Sequence, residues 1–460
     1  MILSKDQICR YMRHILIPEI SGQGQRKILD SSAVFFGEDL KDVSLALYYI
    51  SASGIGQVYC HIANASNWEK LSENLSDLNS DTKIQLLAKE VSEASEVQAT
   101  TRIISGSLSY VEKTLRSILK TDCREKYIPT IVAVNNGWSG AVQTFINQLE
   151  LEAFSKELGG YPNLGNINAS CCFDNISAYF SSLIAVIEHI KLTLSLGKPL
   201  SEALYHDLSA MEFDFVGSST DLLNKLRSIK VPENSLAALS DFKALIIGCG
   251  GLGSPAAYAL AASGIGRLGL VDFDDVELSN LNRQIMHSTL RLGMPKVQSA
   301  EIFLRQINSN ISLDTYYTGI SKDNVRDIIS SYDIIIGGLD NLPARYILND
   351  ACYAAKKPLI EAGALDISGL ATSIIPDEGH CYRCIFPESK ENSSLPSCSE
   401  RGVLGLVPGV MGIIQAAEAI KLLTGIGRSL KNRILLFDVF DTDIYVADHA
   451  KNRYCELCGK

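Results

Sequence analysis

Short apolar runs recur along this chain, separated by amphipathic stretches. In the second half they are LIIG at 245–248, LGLVD at 268–272 and DIIIGG at 333–338. Runs this short suit buried strands, and the stretches between them suit helices packed on the sheet. The pattern predicts βαβ units, an α/β fold and a site at the carboxyl ends of the strands. A longer apolar stretch, Leu404 to Ile426, contains Glu418 and Lys421 and is interrupted by Pro408. It reads as a buried helix rather than a membrane span. Residues 63–130 show helical patterns such as TKIQLLAKEVSEA, without legible chemistry.

The pattern occurs twice. Residues 31–62 run parallel to residues 241–272, and both contain ASGIG, at 52–56 and 262–266. FINQ at 145–148 resembles ILND at 347–350, and the segment from Ser182 resembles that from Gly412. The chain is therefore expected to hold two tandem Rossmann-like folds, over residues 1–230 and 241–460, with a linker at 231–240. In the first copy the glycine turn has become GEDLKD, Gly37 to Asp42, and Ile62 stands where the second copy has Asp272. Glu38 and Asp39 would repel a phosphate, so this copy is expected to keep the fold without a nucleotide site.

Composition narrows the function classes. Of 460 residues, 46% are hydrophobic and 20% charged, as in ordinary globular proteins. A formal net charge of -10 argues against a nucleic-acid partner. The first residues, MILSKDQICRYMRH, lack an apolar signal-peptide core, and a cytoplasmic location is expected. Twelve cysteines then read as free thiols, metal ligands or catalytic groups.

The second copy carries the chemistry. Gly248, Gly250, Gly251 and Gly253 would let a phosphate approach the backbone at a helix N-terminus. Asp272, 19 residues past Gly253, is placed to accept from a ribose hydroxyl. The polar segment Ser279, Asn280, Leu281, Asn282, Arg283 follows, and Asn280 and Arg283 would share one side of a helical turn. Arg283 suits phosphate oxygens, Lys296 suits the β- and γ-phosphates, and Asp340, beside Asn341 at a predicted strand end, suits Mg2+. A plain nicotinamide-binding Rossmann domain leaves these last three groups without a shared task. Cys381 and Cys384, with Cys455 and Cys458, form two CxxC pairs suited to structural zinc; redox use of one pair is the rival reading. Cys398 lies in a polar segment near Arg401, which would favour its thiolate; an ordinary loop thiol is the alternative.

GCGGLG, VDFDDVELSNLNRQ, GMPKVQSA, LDN, CYRC, the segment around Cys398 and the closing CELCG resemble the ThiF/MoeB/HesA sulfur-carrier adenylyltransferases, relatives of the ubiquitin-activating enzymes. The resemblance covers residues 241–460 and is more distant over the first copy. It implies ATP-dependent adenylation of the C-terminal carboxylate of a small ubiquitin-fold sulfur-carrier protein ending in Gly-Gly. It also implies a sulfur donor such as a cysteine desulfurase, since no rhodanese-like segment is recognised. Carried over by motif, Gly251 and Asp272 bind nucleotide, Asn280, Arg283 and Lys296 handle phosphates, and Asp340 holds Mg2+. Cys398 matches a loop cysteine that in some relatives links covalently to the carrier or bears sulfur. Relatives are usually homodimers in which an arginine of an N-terminal RYxRQ-like motif enters the partner's site. Arg13 matches that arginine, with His14 in place of the glutamine. An intramolecular pseudo-dimer is thus expected, with the first copy donating Arg13 to the second. Adenylation of a ribosomal precursor peptide or another carboxylate is the second reading. A non-catalytic scaffold for a ubiquitin-fold protein is the third.

Overall fold

The apolar runs form the middle strands of two sheets in a computed structural model that describes residues 3–87, 91, 97–121, 127–160, 175–227, 238–388 and 401–459. The first sheet contains β1 (Ser32–Asp39), β2 (Gln57–Asn64), β3 (Lys83–Leu86), β4 (Thr101–Gly106), β5 (Thr130–Asn136), β6 (Ser139–Phe145), β7 (Ala203–Asp207) and β8 (Glu212–Val216). The second contains β9 (Lys243–Ile247), β10 (Arg267–Asp272), β11 (Ser312–Tyr317), β12 (Ile334–Gly337), β13 (Leu359–Leu365), β14 (Ser368–Ile374), β15 (Arg433–Asp438) and β16 (Asp443–Asp448). Their orders are β3-β2-β1-β4-β5-β6-β7-β8 and β11-β10-β9-β12-β13-β14-β15-β16. Each sheet is parallel through its first five positions and antiparallel beyond. This identity of order is the repeat expressed as topology. In the second sheet the order reverses between β9 and β12, the kind of switch point outside whose carboxyl ends open α/β sheets bind ligands.

The two halves meet around a pseudo-two-fold axis. The helix Asn175–Leu194 packs against its counterpart Leu406–Thr424. Each carries a buried ion pair at the same place, Glu188–Lys191 at 2.6 Å and Glu418–Lys421 at 2.5 Å. Lys191 also donates to Thr442 of the other half at 2.6 Å, so part of its lost hydration is replaced across the junction. Beyond each helix a turn reaches over: Lys198 N–H donates to Phe440 O at 3.1 Å, and Arg428 N–H to Ser209 O at 2.7 Å. The Leu406–Thr424 helix is long and apolar enough to cross a membrane, but 89% of its apolar window is buried inside the fold. The expectation of a core helix therefore holds.

Two sequence expectations fail. Within TKIQLLAKEVSEA, Lys83–Leu86 is a strand, because its backbone pairs in parallel with β2. Pairing with a sheet edge has overridden a weak helical period over residues that stay largely exposed. The FINQ and ILND match does not relate equivalent places. Asn147 caps the helix Gln148–Gly159 just after β6, whereas residues 347–350 lie inside the helix Leu342–Ala354. The counterpart of β6 is β14.

Acid should unfold this protein. His14, His189, His206 and His287 are buried, and burial pushes them down to about 4, 4, 3 and 3. An unfolded histidine titrates near 6.5. Between that value and the folded ones the unfolded chain binds more protons, so stability falls as pH falls. Buried Glu361 is pushed up to about 7 by desolvation despite Arg345, and opposes the trend. The sum is a loss of about 3 kcal/mol from pH 7 to 5.5. Thermal melts at these two pH values should differ by roughly 3 °C. An unchanged midpoint would contradict the buried neutral histidines.

Candidate functional site

The glycine turn is shaped by close approaches. Gly248 has φ +102°, and a Cβ there would sit 2.6 Å from Gly338 O in the loop after β12. A Cβ on Gly253 would sit 1.9 Å from Gly248 O. No side chain fits at either place, so the turn brings the start of the helix Gly253–Ala262 close over the carboxyl end of β9. That helix has no side-chain cap; Leu252 stands at its N-cap. Ser254 N–H donates to Gly250 O at 3.0 Å and Pro255 has no N–H, so an anion here would meet the positive end of the helix dipole and the N–H groups of the glycine turn itself.

Asp272 holds this turn in place. Its Oδ2 accepts from Cys249 N–H at 2.7 Å and its Oδ1 from Asp274 N–H at 2.9 Å. Burial raises the Asp272 pKa against the lowering effects of Lys296 and these two bonds. Asp274 in turn pairs with Lys296 at 2.8 Å, at the first residue of the helix Lys296–Ile307. Lys296 is nearly buried while Asp274 is half exposed, so the ammonium is held below the surface by a carboxylate that reaches solvent.

The segment after Asp272 is a tight turn rather than a run of α-helix. Leu278–Asn280 forms one 3₁₀ turn, and Asn280 Oδ1 accepts from Glu277 N–H at 3.1 Å. Asn280 is thereby committed to shaping the turn, and Ser279 Oγ donates to Glu277 at 3.2 Å. The side chain of Leu281 lies in the hydrophobic core. Arg283 is half buried and donates from Nη1 to Ser279 O at 2.9 Å and Asn282 Oδ1 at 2.8 Å. A Cβ on Gly251 would stand 3.5 Å from Arg283 Cδ, which places this arginine's stem along the glycine turn. Asn282 is fully buried, and its Nδ2 has no hydrogen-bond partner among the described residues. A buried donor left unpaired beside an uncapped helix start suits a ligand oxygen.

Asp340 lies three residues beyond the end of β12, not at the strand end. The loop between them makes the Gly248 contact, which ties Asp340 to the glycine turn. Its side chain is exposed and makes no hydrogen bond among the described residues. Asn341 accepts from Ala344 N–H at 3.0 Å and caps the helix Leu342–Ala354, so its side-chain oxygen is in use. Sequence reasoning missed His287. Its Nε2 is 3.0 Å from Cys249 O and its Nδ1 3.0 Å from Ser299 Oγ, so it braces the turn from below. A lone histidine between the Arg283 and Lys296 motifs is its only sequence signal.

The first half closes the matching place with its own carboxylates. Asp39 accepts from Lys41 N–H at 3.0 Å and caps the helix Leu40–Ser53. Glu38 accepts from Ser107 N–H at 2.7 Å and Ser107 Oγ at 3.1 Å. The carboxylates that stand where the second half has its glycine turn are thus used on the first half's own backbone donors.

The residues before the first sheet reach the second half. Val403 N–H donates to Arg13 O at 3.0 Å, and Gly405 N–H donates to His14 Nε2 at 3.0 Å. Arg10 bridges Leu78 O at 2.6 Å and Thr289 Oγ1 at 3.1 Å. Arg13 is thus anchored through its backbone beside the segment leading into Leu406–Thr424. Cys398 lies outside the described residues, as does the linker except for Ala238, Leu239 and Ser240. Arg401 pairs with Asp366 at 3.8 Å.

The four cysteines converge. Cys381, Cys384, Cys455 and Cys458 are buried, with all sulfurs within 4.8 Å of one another. The sulfurs of Cys381 and Cys384 lie 3.9 Å apart, those of Cys381 and Cys455 3.5 Å, and those of Cys384 and Cys458 3.3 Å. Tetrahedral zinc at about 2.3 Å from each sulfur puts sulfurs about 3.8 Å apart. The cluster fits zinc, leaves no ligand position open, and ties the closing CELC to the start of the helix Tyr382–Ile385.

Comparison with known proteins agrees with this geometry. The profile of the ThiF family matches residues 223–457. The chain is 40% identical over 256 residues to the adenylyltransferase and sulfurtransferase MOCS3 of Arabidopsis thaliana, covering 55% of each. It is 38% identical over 257 residues to the Danio rerio MOCS3, covering 55% of this chain and 56% of that one. It is 41% identical over 229 residues to the SAMP-activating enzyme E1 of Haloferax volcanii, covering 50% of this chain and 84% of that one. The chain spans about half the length of the MOCS3 proteins it matches. With a family match over more than half its residues, on the half that carries the glycine turn and the four cysteines, the chain belongs to the ThiF family.

Proposed function

We propose that this protein adenylates the C-terminal carboxylate of a small ubiquitin-fold sulfur-carrier protein ending in Gly-Gly. A carboxylate oxygen attacks the α-phosphorus of ATP, the bond to the bridging oxygen of the β-phosphate breaks, and pyrophosphate leaves. The product is an acyl-adenylate, open to sulfur from a donor such as a cysteine desulfurase. The observation that carries the reading is the uncapped glycine turn with Arg283 along it and Lys296 and Asp340 tied to it through Asp272 and Gly338. Asp272 would accept from the ribose through lone pairs not used by its two backbone bonds, and Asn282 Nδ2 would offer a further donor. Arg283 and Lys296 neutralise charge that builds on the leaving phosphates. Mg2+, when bound, would add to that neutralisation, and Asp340 would hold it. The named activities of the MOCS3 and SAMP-activating relatives support the same chemistry. A cytoplasmic site of action fits free thiols.

The self-capped first half and the anchored Arg13 further support one ATP site per chain, completed within the chain. Calorimetric titration should give one ATP per chain. Arg13→Ala should lower exchange between ATP and pyrophosphate about 100-fold. Mixing Arg13→Ala with Arg283→Ala should restore nothing, because both residues serve one site in one chain. Recovery on mixing would mean that the arginine comes from another molecule.

A further inference from the structure

His14 departs from the motif that contains it, and the fold gives it a task. It is buried between the halves in the helix Met12–Ile15. Because Gly405 N–H donates to Nε2 at 3.0 Å, that nitrogen carries the lone pair. Nδ1 therefore carries the proton and donates to Gln25 Oε1 at 2.9 Å. Gln25 Nε2 donates onward to Ser53 O at 3.0 Å, at the end of the helix Leu40–Ser53. Every polar atom along this relay is used in one direction only. On the far side, Gly405 lies against Arg283: a Cβ there would stand 2.3 Å from Asn282 O and 3.2 Å from Arg283 Cβ. Backbone this close transmits a shift of one residue to the next.

We propose that His14 is a positioning residue that acts through Gly405 to hold Arg283 against the phosphates of ATP. The proposal rests on the nucleotide site described above. The first half then contributes Arg13 and, one residue later, the acceptor that fixes the loop beside Arg283. An apolar side chain in place of His14 leaves Gly405 N–H buried without an acceptor, and the loop must move to find one.

The test is a double-mutant cycle read as the dissociation constant for ATP, measured by calorimetry on the full chain. His14→Leu should weaken ATP binding about 10-fold, as expected when one charge-assisted hydrogen bond to phosphate is no longer made. In the Arg283→Ala background the same change should cost less than about 2-fold, because the guanidinium it positions is already absent. His14→Gln, which can accept from Gly405 and donate to Gln25, should stay within about 3-fold of wild type. Should His14→Leu fail to fold, Gln25→Leu keeps the ring, removes its tautomer lock and should give the same dependence on Arg283 with a smaller factor. Equal losses in both backgrounds, or no loss with His14→Leu, would overturn the proposal. A wild-type protein that binds ATP without exchanging pyrophosphate leaves this cycle readable and removes only the adenylation reading. One that binds no ATP overturns both.

Discussion

Asp340→Ala should reduce pyrophosphate exchange about 100- to 1,000-fold while leaving the fold as stable as before. The loss follows from placement. Asp340 is exposed beyond β12, and the loop that carries it touches the glycine turn through Gly338 and Gly248. A carboxylate that holds the metal neutralising a triphosphate acts on the transition state, where removing one such group has the stated cost. The intact stability follows from the same facts. The side chain makes no hydrogen bond among the described residues, so its removal orphans no buried partner. Asp340→Asn should behave alike, since charge rather than shape is needed. Asp272→Ala should differ. It removes the acceptor of Cys249 and Asp274 N–H, so the melting temperature should fall along with activity. Exchange within about 3-fold of wild type in Asp340→Ala would remove this residue from the site.

Stripping the four-cysteine site should be the most damaging change to the fold of the second half. Binding to a closed four-thiolate site contributes directly to folding, about 10 kcal/mol or more in small isolated domains. Here the cluster shares a hydrophobic core with Tyr346 and Leu348 of the helix Leu342–Ala354. The same helix begins at Asn341, next to Asp340. Cys458→Ser should therefore lower zinc content from one per chain to near zero. It should open the closing residues to protease, lower the melting temperature by more than about 5 °C and reduce exchange indirectly. Purified protein without zinc, melting unchanged after chelation, would show that the thiols need no metal to hold this end of the chain.

Much of this site is legible in sequence because its constraints are local. The glycine turn, Asp272, Arg283, Lys296 and the CxxC pairs are short patterns whose chemistry depends on spacing within a few residues. The repeat is legible because equal apolar patterns produce equal strand orders. What cannot be read depends on distant partners. Lys83–Leu86 looks helical until β2 supplies a neighbour. Residues 347–350 match 145–148 only as letters, because one segment lies inside a helix and the other follows a strand. His287 is silent in sequence because its partners, Cys249 O and Ser299 Oγ, lie 38 and 12 residues away. His14 reads as a lapse from a motif; its meaning lies in Gly405, 391 residues later. Asn280 and Asn341 read in sequence as ligand contacts; the fold adds that the side-chain oxygen of each also accepts a backbone N–H at the head of a turn or helix.

The central claim is adenylation of a protein's terminal carboxylate. Its most direct measurement is isotope exchange between ATP and pyrophosphate, using the purified full chain with a small ubiquitin-fold protein ending in Gly-Gly from the same genome. The account predicts exchange that depends on this protein, disappears when its last glycine is removed, and disappears in Asp340→Ala. Exchange supported by a short peptide instead would keep the chemistry and replace the partner. No exchange with either substrate, from a chain that binds ATP and zinc, would contradict the account.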